Sequence, residues 1–302
     1  MLLATCGEHG VPLADIAIRD PFILPDTASR TYYLVASGGR SVTVRASKDL
    51  RTWSEPQTVF ALPEGHWGPS AIWAPEMHRY RGKYYVFATF MDDRPLAPQR
   101  PGWPPLVRRG TQILVADRPE GPFVPFDNRP HTPDDEMALD GTLWVEGGVP
   151  HMIYCHEWVQ IRDGGMNLIR LKRDLSASEG EPRVLFRGSD APWAPRGSER
   201  YVTDGPALYR SKSGRLFMLW SSFSDTGYTT GLAVSDSGKV AGPWRQQAEP
   251  FYRDDGGHAM IFRGFDRKLR VALHAPNRSP EERCRIFEVE DTGETLRIVA
   301  ER

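Results

Sequence analysis

A chain of 302 residues with 38 Lys and Arg against 39 Asp and Glu has a formal net charge of -1, which excludes a polyanion such as nucleic acid or an anionic membrane as the expected partner and favours a neutral or weakly charged one. The length suffices to bury a full hydrophobic core in one domain, taken as residues 1–302, and 28 glycines with 26 prolines imply many turns without low complexity.

In chain order the apolar runs are short, β-branched and aromatic: TYYLVA, VTVRAS, KYYVFATF, QILVAD, PHMIYC, NLIRL, RLFMLWSS, GLAVS, AMIFRGF, LRVALHA and CRIFEVE. They predict strands, and turn signals such as RGK, SKSGR and FDRK between them predict antiparallel hairpins, with no long helix. Aligned on a pattern of apolar strand, polar turn, aromatic strand, loop and third strand, the chain divides into five copies. Their openings at Asp20, Glu76, Asp140, Asp204 and His258 are 56, 64, 64 and 54 residues apart. That period predicts an all-β, five-bladed β-propeller in which the first strand of each blade lines a central channel; a β-sandwich would not explain it.

Four of these openings are acidic and one is histidine. Like-charged carboxylates gathered at one mouth raise the pKa of at least one of them, so that one group stays protonated as a general acid while another serves as base. Glycoside hydrolysis needs such a pair. Taken singly, Asp20-Pro21, Asp140-Gly141 and Asp204-Gly205 are ordinary turn dipeptides; their co-occurrence at blade starts is what turn chemistry does not require.

RDPFIL at Arg19–Leu24, WAPEM at Trp73–Met77, LDGTLW at Leu139–Trp144, TDGPALYR at Thr203–Arg210 and GGHAMIF around His258 together resemble the blade openings of glycoside hydrolase family 43, from about Ile18 to Glu290. The resemblance implies a five-bladed propeller that hydrolyses with inversion, mostly on α-L-arabinofuranosides and β-D-xylosides of plant cell walls. It further implies Asp20 as the base that activates water and Asp140 as the residue that orients and tunes the acid. The acid is expected from the fourth opening, where a glutamate precedes Gly-Pro; here Asp204 stands instead, one methylene shorter. Asp204 is therefore the first candidate acid and Glu157 the second, because the strand before Glu157 returns antiparallel to the face where Asp140 begins. Glu199 has a weaker case. The resemblance also places His258 in a channel where relatives often hold calcium or water, making His258 the candidate metal residue, as sole protein ligand or as an anchor behind the ion.

Trp73 and Trp158 are expected to be sugar platforms, whereas Trp144 and Trp220 read as core and Trp53 and Trp244 as packing between blades. Glu76, Asp92, His156 and His274 are candidates for contacts to substrate hydroxyls, and Arg19 is either a substrate contact or a salt-bridge partner. No redox cofactor is implied, and no Rossmann or P-loop glycine pattern occurs. Cys6, Cys155 and Cys284 are scattered, so free thiols are expected rather than disulfides. No stretch approaches the ~18 apolar residues of a membrane span, and the N-terminus lacks a secretory pattern; as it stands the chain reads as cytoplasmic, or as secreted if a leader was removed. The expected activity is an inverting, exo-acting α-L-arabinofuranosidase on an arabinose- or xylose-containing glycan. The alternatives are a β-D-xylosidase, a non-catalytic carbohydrate-binding propeller and, against the acidic openings, a protein-interaction propeller.

Overall fold

A computed structural model describes residues 10–96 and 98–302; Cys6 lies outside them, and Cys155 and Cys284 are buried and free. Five four-stranded antiparallel sheets follow one another along the chain, and in the first the short strand Thr52–Trp53, between its third and fourth strands, pairs instead with Val11–Pro12. Their innermost strands are Phe22–Asp26, Ala71–Tyr80, Ala138–Glu146, Asp204–Arg210 and Gly257–Arg263. Each innermost strand contacts that of the next blade, and Gly257–Arg263 contacts Phe22–Asp26, so the ring closes as a propeller. The only helix of α type among the described residues is Trp158–Ile161. No helix there is long and apolar enough to cross a membrane.

The core consists of five apolar layers between blades, and the two-residue period of the strands supplies both faces of each blade. Along Leu216–Ser224, Phe217 and Leu219 pack with Val271 and Leu273 of blade 5. Alternate residues Met218 and Trp220 pack with Ile153, Met166 and Phe186 of blade 3. Ring closure uses the same device, with Met260, Phe262 and Ile286 of blade 5 against Ile23, Tyr32 and Leu34 of blade 1. Trp53 joins that layer and Trp244 packs on the layer between blades 3 and 4, as expected of inter-blade residues.

One backbone feature recurs at every opening. Asp20, Ala74, Asp140, Gly205 and His258 have φ of 50°, 41°, 56°, 51° and 51°, in the left-handed region that non-glycine residues rarely enter. In blades 2 to 5 the pairing slips there: Trp73 pairs with Thr89 but Glu76 with Phe87, Leu139 with Cys155 but Thr142 with Ile153, Asp204 with Ser221 but Ala207 with Leu219, Gly257 with His274 but Met260 with Ala272. A β-bulge thus breaks each of these four innermost strands and re-aims the side chains beside it. This corrects the repeat by two residues in blade 2, where the opening is Ala74 and not Glu76, and by one in blade 4, where it is Gly205 and not Asp204. Asp204 is the counterpart of Arg19, Trp73, Leu139 and Gly257.

Candidate active site

The openings of blades 1, 3, 4 and 5 are tied to the preceding blade. Asp140 N–H of blade 3 donates to Thr89 Oγ1 of blade 2 at 2.9 Å. His258 N–H of blade 5 donates to Ser221 Oγ of blade 4 at 2.8 Å, and Asp20 N–H of blade 1 donates to His274 Nδ1 of blade 5 at 3.2 Å. Thr89, Ser221 and His274 occupy the same register position on their second strands. In blade 3 that position is Cys155, a poor acceptor, and the Gly205 N–H goes to Asp140 Oδ2 instead, at 3.1 Å. A Cβ on Gly205 would stand 2.8 Å from the His258 ring, so glycine here satisfies both the positive φ and the close approach of the histidine.

These ties bring the acidic openings together. His258 Nδ1 stands 3.2 Å from Asp20 Oδ1 and 3.7 Å from Asp140 Oδ2, so carboxylates 120 residues apart in the chain meet at one ring nitrogen. Asp204 accepts a 3.0 Å hydrogen bond from the Tyr228 hydroxyl. Tyr228 reaches it only because Gly257 has no side chain: a Cβ there would be 2.3 Å from the tyrosine ring. Asp20, Asp140, Asp204, Tyr228 and His258 all line one cavity of about 1040 Å³.

Their environments push the three carboxyls apart. Burial opposes ionisation of Asp20, but the charges and hydrogen bond of His258 and His274, with Arg19 beyond them, outweigh it and hold Asp20 well below the usual carboxylate range. Burial, then the neighbouring Asp140, pushes Asp204 up to about 7. Asp140 is raised as well, by burial and by Asp20, against the Gly205 N–H that favours its ionised form. The cluster therefore presents an ionised carboxylate beside a carboxyl that keeps its proton near neutrality. That is the division an acid and base pair requires.

Of the other expected residues, Arg19, Trp73, Glu157 and Trp158 also line the cavity. Arg19 donates to Glu282 at 3.0 Å. Glu157 is nearly buried and ion-paired with Arg109, whose guanidinium lies 4.3 Å from the centre of the Trp73 ring. Burial raises the Glu157 carboxyl and Arg109 counters it. Four expected contacts do not line the cavity. Glu76, displaced by the bulge, lies past the opening and holds His78 at 3.0 Å. Asp92 is taken up by Arg94 in its own hairpin. His156 is one residue beyond the inward position held by Cys155 and bonds Gln160 at 2.8 Å. His274 is fully buried behind Asp20, where it supports the carboxylate and stacks on Tyr228. Trp144 and Trp220 belong to the layer between blades 3 and 4.

These side chains do not by themselves form a calcium cage. His258 turns Nδ1 on two carboxylates, and no group of three or more His, Cys, Asp or Glu able to share a metal occurs among the described residues. Calcium takes about six to eight oxygen ligands, and a single imidazole offers none. The position of His258 is accounted for by Asp20 and Asp140.

Tyr228, Ser221, Thr89 and Arg109 were not singled out by the sequence. Each lies within an unremarkable strand; Thr89, Ser221 and Arg109 find their partners in the next blade, and Tyr228 finds Asp204 two strands away in its own.

A closed five-bladed ring with three carboxyls of divergent acidity in one cavity defines a propeller of the glycosidase type. The model of glycosyl hydrolases family 43 matches residues 10–292, and the chain belongs to that family. The crystal structure of endo-arabinase from Bacteroides thetaiotaomicron VPI-5482 superposes with a TM-score of 0.84 at 41% identity, over 93% of this chain and 97% of that one. Among curated proteins, the extracellular exo-alpha-(1->5)-L-arabinofuranosidase of Streptomyces chartreusis is 26% identical over 77% of this chain and 70% of its own length. Alpha-L-arabinofuranosidase B of Pyricularia oryzae is 24% identical over 77% of this chain; the match spans 47% of that protein, about half its length.

Proposed function

We propose that the protein hydrolyses α-L-arabinofuranosides of plant cell-wall glycans with inversion of configuration. The observation that carries this reading is the pairing, in one cavity, of Asp20 held ionised by His258 and His274 with Asp204 pushed up to about 7. Asp20 takes a proton from water as the water attacks the anomeric carbon, Asp204 gives its proton to the departing oxygen, and the like-charge coupling between Asp140 and Asp204 keeps the two from being ionised together. Asp204 has the stronger case over Glu157, because Glu157 is committed to Arg109. Arabinose as the released sugar follows the names of the relatives at 41% and 26% identity.

The test is incubation with chromogenic α-L-arabinofuranoside and β-D-xyloside, with proton NMR of the first-formed anomer. Release from the arabinofuranoside with inverted configuration is expected, and Asp20→Asn should abolish it. Preference for the xyloside would make the protein a β-D-xylosidase. No turnover of either substrate, together with retained sugar binding, would make it a carbohydrate-binding propeller. Exo-action is the first reading and internal cleavage the second, favoured by the endo-arabinase likeness. On linear arabinan, arabinose as the first product supports exo-action and oligosaccharides as the first products overturn it.

A further inference from the structure

At one side of the cavity three segments meet: the loop before Val107, the short helix Trp158–Ile161 with Arg162 at its end, and the loop leading to Asp204. They bring Trp103 and Trp158 together at 5.9 Å between ring centres. Arg100 lies 4.6 Å and Arg162 5.4 Å from the Trp103 ring, and Arg200 lies 4.9 Å from that of Trp158. Trp158 and Arg200 line the cavity itself, so the cluster is continuous with the carboxylate site.

The charge balance of this cluster is unusual. Elsewhere the cavity residue Arg19 is neutralised by Glu282, and Arg109, packed on Trp73, is neutralised by Glu157. Arg100, Arg162 and Arg200 have no carboxylate within ion-pair distance among the described residues, and one terminal nitrogen of Arg100 is buried without a hydrogen-bond partner. Three guanidiniums gathered on two indoles repel one another, and an anion seated among them removes that repulsion. Arg162 is held in the left-handed region at φ 69°, with its carbonyl accepting from Tyr201 N–H at 2.9 Å, so its direction is set by the backbone.

We propose that Trp103, Trp158, Arg100, Arg162 and Arg200 form a subsite for a uronic acid residue of the glycan. The indoles pack on the sugar face, and the guanidiniums receive its carboxylate in the forked geometry that arginine favours. The inference rests on the glycosidase reading for the role of the neighbouring cavity, but the subsite is measurable by itself. A nucleic acid would need a longer basic track than a rim of three arginines in a chain of net charge -1.

The probe is an arabinofuranose-terminated oligosaccharide carrying one galacturonate, compared with the same compound after reduction of its carboxyl to the neutral galactose. Wild type should show kcat/KM at least ~10-fold higher for the acidic form, shrinking as salt is raised. The Asp20→Asn variant should show the same ratio in calorimetric affinity. In Arg162→Gln and in Arg200→Gln, both exposed positions, the ratio should fall toward one. A ratio of one in the wild type, or a ratio unchanged in both variants, overturns the proposal. So does displacement of the acidic sugar by an equal concentration of inorganic sulfate, which would reveal a site for anions at large. Absence of turnover on both compounds defeats the glycosidase reading instead, while the binding ratio still reports on the subsite.

Discussion

The Tyr228 hydroxyl donates to Asp204 Oδ2 at 3.0 Å, in a space that exists because Gly257 lacks a Cβ. With one carboxyl oxygen so engaged, the other is left to carry the proton, and the short aspartate is held where a glutamate is expected from the family resemblance. The hydroxyl favours the ionised form of Asp204, whereas burial and Asp140 oppose it. Removing the hydroxyl therefore raises the Asp204 pKa further. In Tyr228→Phe the alkaline limb of kcat/KM should move to higher pH, and turnover of alkyl arabinofuranosides should fall about tenfold. Aryl substrates with good leaving groups need less proton donation and should lose less. An unmoved limb with equal losses on both substrates would mean that the tyrosine only fills space.

Activity should be bell-shaped in pH. Asp20, held well below its ordinary range, limits only the acid side, and Asp204 at about 7 sets the alkaline side near neutrality. A kcat/KM profile flat from pH 6 to beyond about 9 would remove Asp204 as the acid.

The same shift has a consequence for stability. A carboxyl whose folded pKa lies above its unfolded value of 3.8 binds its proton more tightly in the fold. Its favourable contribution is complete below the unfolded pKa and is lost as pH rises toward 7. The loss amounts to at most about 4 kcal/mol. Asp204→Asn should therefore abolish turnover of poor leaving groups yet melt at a higher temperature than wild type at pH 8, with little difference at pH 4. Equal melting temperatures at both pH values would contradict the burial of a charged Asp204.

Glu157→Gln separates the rival acids. It leaves Arg109 buried and unpaired beneath Trp73, at a cost of about 3–5 kcal/mol in unfolding free energy. Substrate affinity should weaken as the indole loses its support. The alkaline limb should persist, and its disappearance would transfer the acid's role from Asp204 to Glu157.

Gly205→Ala places a methyl group 2.8 Å from the His258 ring in a backbone at φ 51°. Destabilisation of about 2 kcal/mol or more in chemical denaturation is expected. Because His258 must move off Asp20 and Asp140, turnover should fall more than the fraction folded does. Equal declines would limit Gly205 to a packing role.

What the sequence carried by itself was the local order. Alternating apolar runs such as RLFMLWSS can bury both faces only between neighbouring sheets, and their period imposed five blades. The acidic openings at Asp20 and Asp140 were legible because Asp-Pro and Asp-Gly also mark the bulge. Ala74 carries no such mark, so the second opening was placed two residues late at Glu76. The tertiary structure decided the rest. Asp20 lies 254 residues from the His274 that supports it, and the charge state of Asp204 depends on Asp140 from another blade. Such couplings act through a few ångströms of low-dielectric space and leave no trace in sequence spacing. His274 therefore read as a sugar contact until ring closure set it behind Asp20, and Tyr228 read as nothing until the third strand of its blade brought it to Asp204.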